Sequence, residues 1–417
     1  MTAVDPRRLP SAFWYLWTAV LINQLGGFVI LFLSIYLTQR RGYSVAFAGL
    51  VVGIAYGGGG IVGTVLGGAA ADRWGRRAVL LTAHLATAVS TVLLGIATGP
   101  LAITVAAFGV GAASNVLRPV AAAVIVDVTT PEQRPRAFAL QFWAINLGFA
   151  VAAIIGSSVP DRHFVTLFVL DAAATLGAGL IIFARVQETR PARVDPAPGR
   201  GGGAVRGGGA VRQVLADRTF LVLVALAVLF GLVFMQHNTT MPVSIRQNGL
   251  PPATYGWLIA LNAALIVGGQ LLVPRLARHR DPAHLLAVAV LSMGGGFAVL
   301  AVTQQVWGYL LSVLIWTVGE MLHAAIMPTL VGALSPADRR GLYQGVFAQA
   351  FPIAALVAPA GGGWVMDHFG AATLWWCCLV LGIAGAAGHL VIGPARRRRL
   401  DMLEPSSTTI GVKARGT

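Results

Sequence analysis

The sequence predicts an all-α integral membrane protein, with twelve transmembrane helices in two six-helix bundles related by pseudo-twofold symmetry. Three observations carry that prediction. Of the 417 residues, 56% are hydrophobic and 11% charged, where a soluble chain carries about 25% charged residues. Mean hydropathy is +0.75, so most of the surface must face lipid. Apolar segments long enough to cross a bilayer, roughly 20 residues, recur along the chain. One Gly/Pro/Arg-rich stretch interrupts them and leaves six on each side.

The segments lie near 12–37, 46–71, 78–97, 101–127, 137–159 and 163–185, then near 219–243, 254–277, 284–304, 307–333, 342–367 and 370–393. Backbone groups in lipid must be satisfied within the segment, which makes these helices. The alternation of membrane β-strands is absent. Residues 1–186 form the expected first bundle, 187–216 a cytoplasmic linker, 217–394 the second bundle and 395–417 a cytoplasmic tail. The linker carries Pro191, Pro196, Pro198 and two glycine triplets, a composition that makes a flexible tether.

The formal net charge of +15 does not point to nucleic acid, because the arginines alternate between the two sides of the spans. One side holds Arg7, Arg8, Arg73–Arg77, Arg134, Arg136, the linker, Arg275–Arg280, Arg339, Arg340 and Arg396–Arg399. The other holds only Arg40, Arg41, Arg162 and Arg246. The positive-inside rule then places both termini in the cytoplasm of a cell-membrane protein. Cys377 and Cys378 are adjacent and mid-span, small apolar fillers rather than a disulfide framework.

The halves echo each other. Asp72-Arg73-Trp74-Gly75-Arg76 follows span 2, and Pro274-Arg275-Leu276-Ala277-Arg278 follows span 8. Span 5 reads Gly148 through Ala152-Ala153 to Gly156-Ser157, and span 11 reads Ala354 through Ala358-Pro359 to Gly362-Gly363. Both approach one small-residue pattern, G-x-x-x-G-P-x-x-G-G. Such duplication is a common transporter build.

Gly68-Ala-Ala-Ala-Asp72-Arg73-Trp74-Gly75-Arg76-Arg77 fills the short gap after span 2. It matches G-x-x-x-D-R-x-G-R-R at every specified position. By that string the chain resembles the major facilitator superfamily, and by the span-5 and span-11 patterns its twelve-helix drug:proton antiporters. Two departures are visible. Ala153 stands where the span-5 pattern has proline, and Val105–Ala107 lacks the arginine usual early in span 4. The resemblance implies that Gly68 lets spans 2 and 11 approach. It also implies that Asp72, Arg73, Gly75 and Arg76, with Asp127 at the end of span 4, form a charge network. That network latches the outward-facing state and breaks on inward opening. Spans 1, 4, 7 and 10 would line a central cavity, and the protein would act as a monomer.

Charges inside spans cost about 2.5–3.5 kcal/mol on insertion scales and are usually functional. Glu320 lies mid-span 10, Asp171 in the outer half of span 6 and Arg118 in the inner half of span 4. A protonated Glu320 is neutral and cheap to bury, while a deprotonated one attracts a cation. Glu320 is therefore the first candidate proton carrier. His323, one turn on, shares its face and either relays the proton or tunes Glu320. The structural alternative is a permanent Glu320–Arg118 pair. Asp171 is either a further proton group or a packing acid satisfied by a hydroxyl or by Arg162. Expected cavity lining adds Asn23, Gln24, Asn146, Gln236, Asn238 and Trp316 to Arg118. Apolar walls with few polar groups suit amphipathic organic molecules.

No GxxxxGK[ST] loop is present, so ATP does not drive the protein directly, and no HExxH pair is present. The Glu320–His323 spacing suits a bundle metal site, but only one such pair exists, so no metal is expected. No cofactor and no catalytic residue is expected. The expected function is secondary active transport, with proton-coupled efflux of amphipathic drugs or metabolites by alternating access. The partners are a small-molecule substrate, protons and the lipid bilayer. A proton-coupled symporter importing a small metabolite is the nearest rival. A non-transporting membrane sensor or enzyme on the same scaffold is the rival from another class.

Overall fold

A computed structural model describes residues 9–130, 133–159, 164–189, 212, 214–269, 273, 280–336 and 340–403. The side-chain surroundings of Gly68 and Asp72 lie outside that description, as do most of the linker, the 274–279 echo and the end of the tail. Among the described residues all regular structure is helical. Ten helices are long and apolar enough to cross a membrane, and Ala253–Gly269 is a shorter apolar helix.

The first span is two pieces, α1 (Ser11–Leu25) and α2 (Phe28–Ile35), the latter running into a π-helical turn at Tyr36–Arg40. The second is α3 (Val45–Gly53), a π segment Ile54–Gly58 and α4 (Gly59–Trp74). Then come α5 (Arg76–Ile96), α6 (Pro100–Val128), α7 (Arg134–Ser158) and α8 (Phe164–Arg185). The second half holds α9 (Arg218–Phe234), α10 (Gln236–Gln247), α11 (Ala253–Gly269), α12 (Pro282–Val302) and α13 (Val306–Leu334). It ends with α14 (Arg340–Ala348), α15 (Ala350–Phe369) and α16 (Ala371–Leu403). The apolar run 342–400 counts as one span by composition, but Gly370 divides it. The φ of +83° there is one that only glycine adopts without strain.

The two halves are joined at one end. One apolar cluster gathers Phe32 and Val51 from the first half with Tyr255, Met293 and Trp375 from the second. Toward the opposite end each half keeps its own cluster. Phe13, Leu80 and Val124 belong to one, and Phe220, Leu330 and Leu334 to the other. The joint depends on small residues, as close contacts in lipid do. A Cβ on Gly49, Gly53 or Gly57 would overlap the backbone of Pro359 or Leu356 in α15. At this end the approach of spans 2 and 11 rests on these glycines; the expected contact at Gly68 lies outside the described side chains. The Asp367 carboxylate accepts from the Val45 amide at 3.2 Å and the Ala46 amide at 2.6 Å, capping α3 across the joint.

The chain beyond 394, expected as a tail, continues as helix to Leu403. Its charges explain why. Arg396, 2% exposed, donates to the His389 carbonyl at 3.0 Å. Arg397 meets Asp281 at 2.6 Å and Arg399 meets Asp217. Those two acids cap α12 and α9, accepting from the Ala283 and Phe220 amides at 2.8 and 3.1 Å. Two arginines of the basic run thus bind the acids that start two other helices, while Arg397 and Arg398 remain exposed.

Candidate functional site

A cavity of about 430 Å³ runs from the break in the first span toward the Gly75 end. Its polar lining includes Asn23, Gln24, Asn115, Arg118, Gln141 and Asp171. All its walls come from the first half. The break has a steric cause: a Cβ on Gly26 would overlap Ala174 of α8, and one on Gly148 of α7 would overlap Gln24. The small residues let α1 lie against both neighbours.

Breaking a helix in lipid orphans amides at the new N-terminus. Asp171 meets them, accepting from the Val29 amide at 3.0 Å, with the Phe28 amide and the Thr175 hydroxyl also bonded to it. The positive end of α2 favours a carboxylate there. Asp171 is therefore satisfied by backbone amides as well as by a hydroxyl, a partner set the sequence did not suggest. Arg162 lies outside the described residues.

Arg118 projects from α6 into the cavity, where it is exposed. Among the described residues it has no hydrogen-bond or ion-pair partner. The permanent Glu320–Arg118 pair is thus not formed. Glu320 instead accepts from Asn262 of α11 at 2.9 Å, and the same amide reaches Thr317 at 3.0 Å. His323 stacks on Phe230 with centroids 3.8 Å apart and planes 2° from parallel. Among the described residues its buried Nε2 has no hydrogen-bond partner, and neither has that of His389 on α16.

The other expected lining residues are elsewhere. Trp316 is 0% exposed, packed beside Phe297 and His237. Gln236 joins α10 to α15, donating to the Ala358 carbonyl at 3.1 Å and accepting from Thr240 at 2.8 Å. Asn238 accepts from Tyr255 at 3.3 Å. Asn146 donates to Phe142 of its own helix at 2.9 Å and is not part of the cavity wall. Each amide is spent on helix contacts, which lipid makes obligatory.

At the loop, Gly75 takes a φ of +95° and turns the chain between α4 and α5. Arg76 pairs with Asp127 at 3.2 Å and donates to the Ala71 carbonyl at 3.0 Å. Glu188, just past α8, accepts from the Arg76 and Arg77 amides at 2.8 and 3.1 Å and so caps α5. Arg73 is exposed at the surface and engaged. The Arg76–Asp127 pair is intact although the cavity reaches this end. Both residues belong to the first half, so movement of one half against the other does not stretch it.

The family model described as "Major Facilitator Superfamily" matches residues 16–359. The chain belongs to the Major Facilitator Superfamily. It is 26% identical over 404 residues to multidrug resistance protein MdtH of Salmonella paratyphi B, covering 91% of this chain and 94% of that one. It is 26% identical over 345 residues to an uncharacterized MFS-type transporter, YqjV, of Bacillus subtilis, covering 82% of each. Among solved structures it resembles a POT family transporter in complex with 5-aminolevulinic acid. The TM-score is 0.78 at 15% identity, over 93% of this chain and 97% of that one. At that identity the likeness is one of fold. The family and its transporter members mark the chain as a multi-pass membrane transporter and not an enzyme.

Sequence reasoning missed Asn262, Glu188 and His389. Glu188 had a signal, a lone acid just past a span facing an arginine-rich loop. Asn262 and His389 had only the weaker mark of polar residues inside apolar runs.

Proposed function

We propose that the protein is a proton-coupled exporter of amphipathic organic molecules, working as a monomer by alternating access between two six-helix bundles of twelve spans in all. The bundles are residues 1–186 and 217–394, joined by the 187–216 linker. The observation that carries this reading is the asymmetry of the joint. The halves share one apolar core at the Asp367 end and keep separate cores at the Gly75 end, toward which the cavity runs. The arginine distribution puts the Gly75 end and both termini in the cytoplasm, so the conformation is inward-facing. The MdtH relatives favour efflux.

Glu320 is the proton carrier in this reading. It sits mid-span with one side-chain amide as partner and is neutral when protonated, so either state is accessible as water enters and leaves. His323 adjoins it with an unpaired nitrogen. Asp171 holds the break that shapes the cargo cavity. Rocking closes the Gly75 end and opens the Asp367 end, with Gly75, Arg76 and Asp127 keeping the first half rigid at the loop.

Proton flux in everted vesicles energised by respiration tests the reading, with a panel of amphipathic drugs of each charge. The expected result is cargo-driven proton movement out of the vesicle lumen in the wild type and none in Glu320→Gln. Cargo uptake that alkalinises the compartment outside intact cells would identify an importer. Absence of counterflow for any labelled cargo would identify a non-transporting scaffold.

A further inference from the structure

The transport reading leaves the cargo unspecified, and the charge balance of the cavity specifies it. Four titratable groups line the cavity: Tyr56, His84, Arg118 and Asp171. Tyr56 and His84 carry no charge when neutral, and His84 is fixed by its Nδ1 at 2.7 Å from the Leu80 carbonyl of its own helix. Asp171 is the one acid of the wall among the described residues, and it is committed to the amides of the broken first span. Its negative charge is answered by the N-terminal end of α2. Arg118 has no such answer. It is enclosed by spans, faces the cavity, and meets no carboxylate among the described residues.

An arginine at this depth is costly unless paired. A guanidinium presents five donors in a planar fork that fits a carboxylate, sulfonate or phosphate with two parallel bonds. Around it the wall offers apolar side chains, among them Leu117, Ala121, Ile125, Phe138 and Phe142. The set therefore provides a cationic fork in an apolar enclosure.

We infer that Arg118 is the counter-ion of an anionic amphipath: the cargo carries one carboxylate, sulfonate or phosphate on an apolar, partly aromatic body. The inference rests on the cavity being the cargo site, as the transport reading has it. It explains why the wall spends its one acid on backbone. A second free carboxylate would neutralise Arg118 and leave nothing to recognise an anion.

The test is equilibrium dialysis on the full-length protein in phosphatidylcholine nanodiscs, corrected for empty discs. The probes are 2-naphthoate, 2-naphthylmethanol and 2-naphthylmethylammonium, one ring system in three charge states. The wild type should hold the naphthoate about tenfold or more tighter than the other two, the usual value of a charge-assisted bond. Arg118→Gln should erase that preference, and Arg118→Lys should keep part of it. A wild type that binds the alcohol or the ammonium as tightly, or does not hold the naphthoate, overturns the inference, and so does a preference that survives in Arg118→Gln. If Arg118→Gln does not fold, the wild-type ranking and Arg118→Lys decide. Naphthoate displaced by phosphatidylglycerol in the disc would make the anion a lipid headgroup and would overturn the cargo assignment. Because binding is read at equilibrium, failure of proton coupling leaves this result untouched.

Discussion

Among the described residues two acids lie well inside the spans, away from the helix ends, and they are held in opposite ways. Asp171 of α8 is 8% exposed and bonds to backbone amides at the start of α2. The Phe28 amide also reaches the Gly26 carbonyl at 2.6 Å, whereas the Val29 amide depends on Asp171, because a broken helix in lipid cannot turn to water. Glu320 of α13 is less buried and is held by a side-chain amide, Asn262, that also has Thr317 to bond to. Removing Asp171 orphans the Val29 amide, while removing the Glu320 charge leaves Asn262 with a partner. One acid maintains the shape of a helix; the other is free to change its protonation state without undoing the fold. Charge inside a span is thus a weak guide to function until its partners are known.

Changes at these sites either sharpen or break that contrast. The largest expected effect is on Glu320→Gln: at least about a tenfold loss of cargo-driven proton flux, with the thermal unfolding temperature unchanged and labelled-cargo counterflow retained. A glutamine keeps the acceptor for Asn262 and loses only the proton site. Asp171→Ala should instead lower the unfolding temperature in detergent, because each orphaned buried donor costs about 1–3 kcal/mol. Asp171→Asn, which keeps an acceptor, should recover a good part of that loss. The contrast collapses if Asp171→Asn folds normally and loses coupling while Glu320→Gln keeps it.

A smaller effect is expected at the joint. In Gly53→Val the added side chain has no room against Leu356 in α15, so the Asp367 end should open. Spin labels at Ser44 and His368 would report it as a longer distance in the variant. An unchanged distance would mean that α15 gives way instead.

The smallest effect concerns Asp217, outside the spans. Partial burial by itself would raise its carboxyl, but hydrogen bonds from Arg399, Tyr343 and the Phe220 amide outweigh it and hold the group below the ordinary carboxylate value. A depressed folded-state value means stability that is present above about pH 4, the unfolded value, and lost as pH falls through the folded one. Asp217→Asn should therefore unfold slightly more easily at neutral pH and lose less than the wild type on acidification. Equal acid sensitivity in thermal unfolding would remove Asp217 from the account.

Much of the fold was legible because lipid enforces simple rules. Long apolar runs became helices, and the arginine-rich turn at Gly75 became a capped loop with Asp127 at its side. The break in the first span was not legible. Asn23 and Gln24 precede it and Phe28 follows, within one apolar run, and a Gly-Gly pair inside a span signals packing as readily as a break. Asp171 could not be assigned without that break, since its partners are the amides the break creates. Cavity lining was legible where polarity has no local outlet, as at Arg118. It was misleading where an amide could join two helices, as Gln236 does, or bond along its own, as Asn146 does. The last span was read as ending at 393 because Arg396–Arg399 resemble a solvated tail, yet the acids that receive them lie more than a hundred residues away.

The most direct measurement of the central claim compares two conservative variants in one assay. Wild type, Glu320→Gln and Asp171→Asn would be reconstituted in proteoliposomes, with cargo-driven proton movement followed beside labelled-cargo counterflow. The account predicts that Glu320→Gln keeps counterflow and loses proton movement, while Asp171→Asn keeps the ratio of the two at whatever level of folded protein survives. Proton movement that persists in Glu320→Gln, at the wild-type ratio to counterflow, would contradict it.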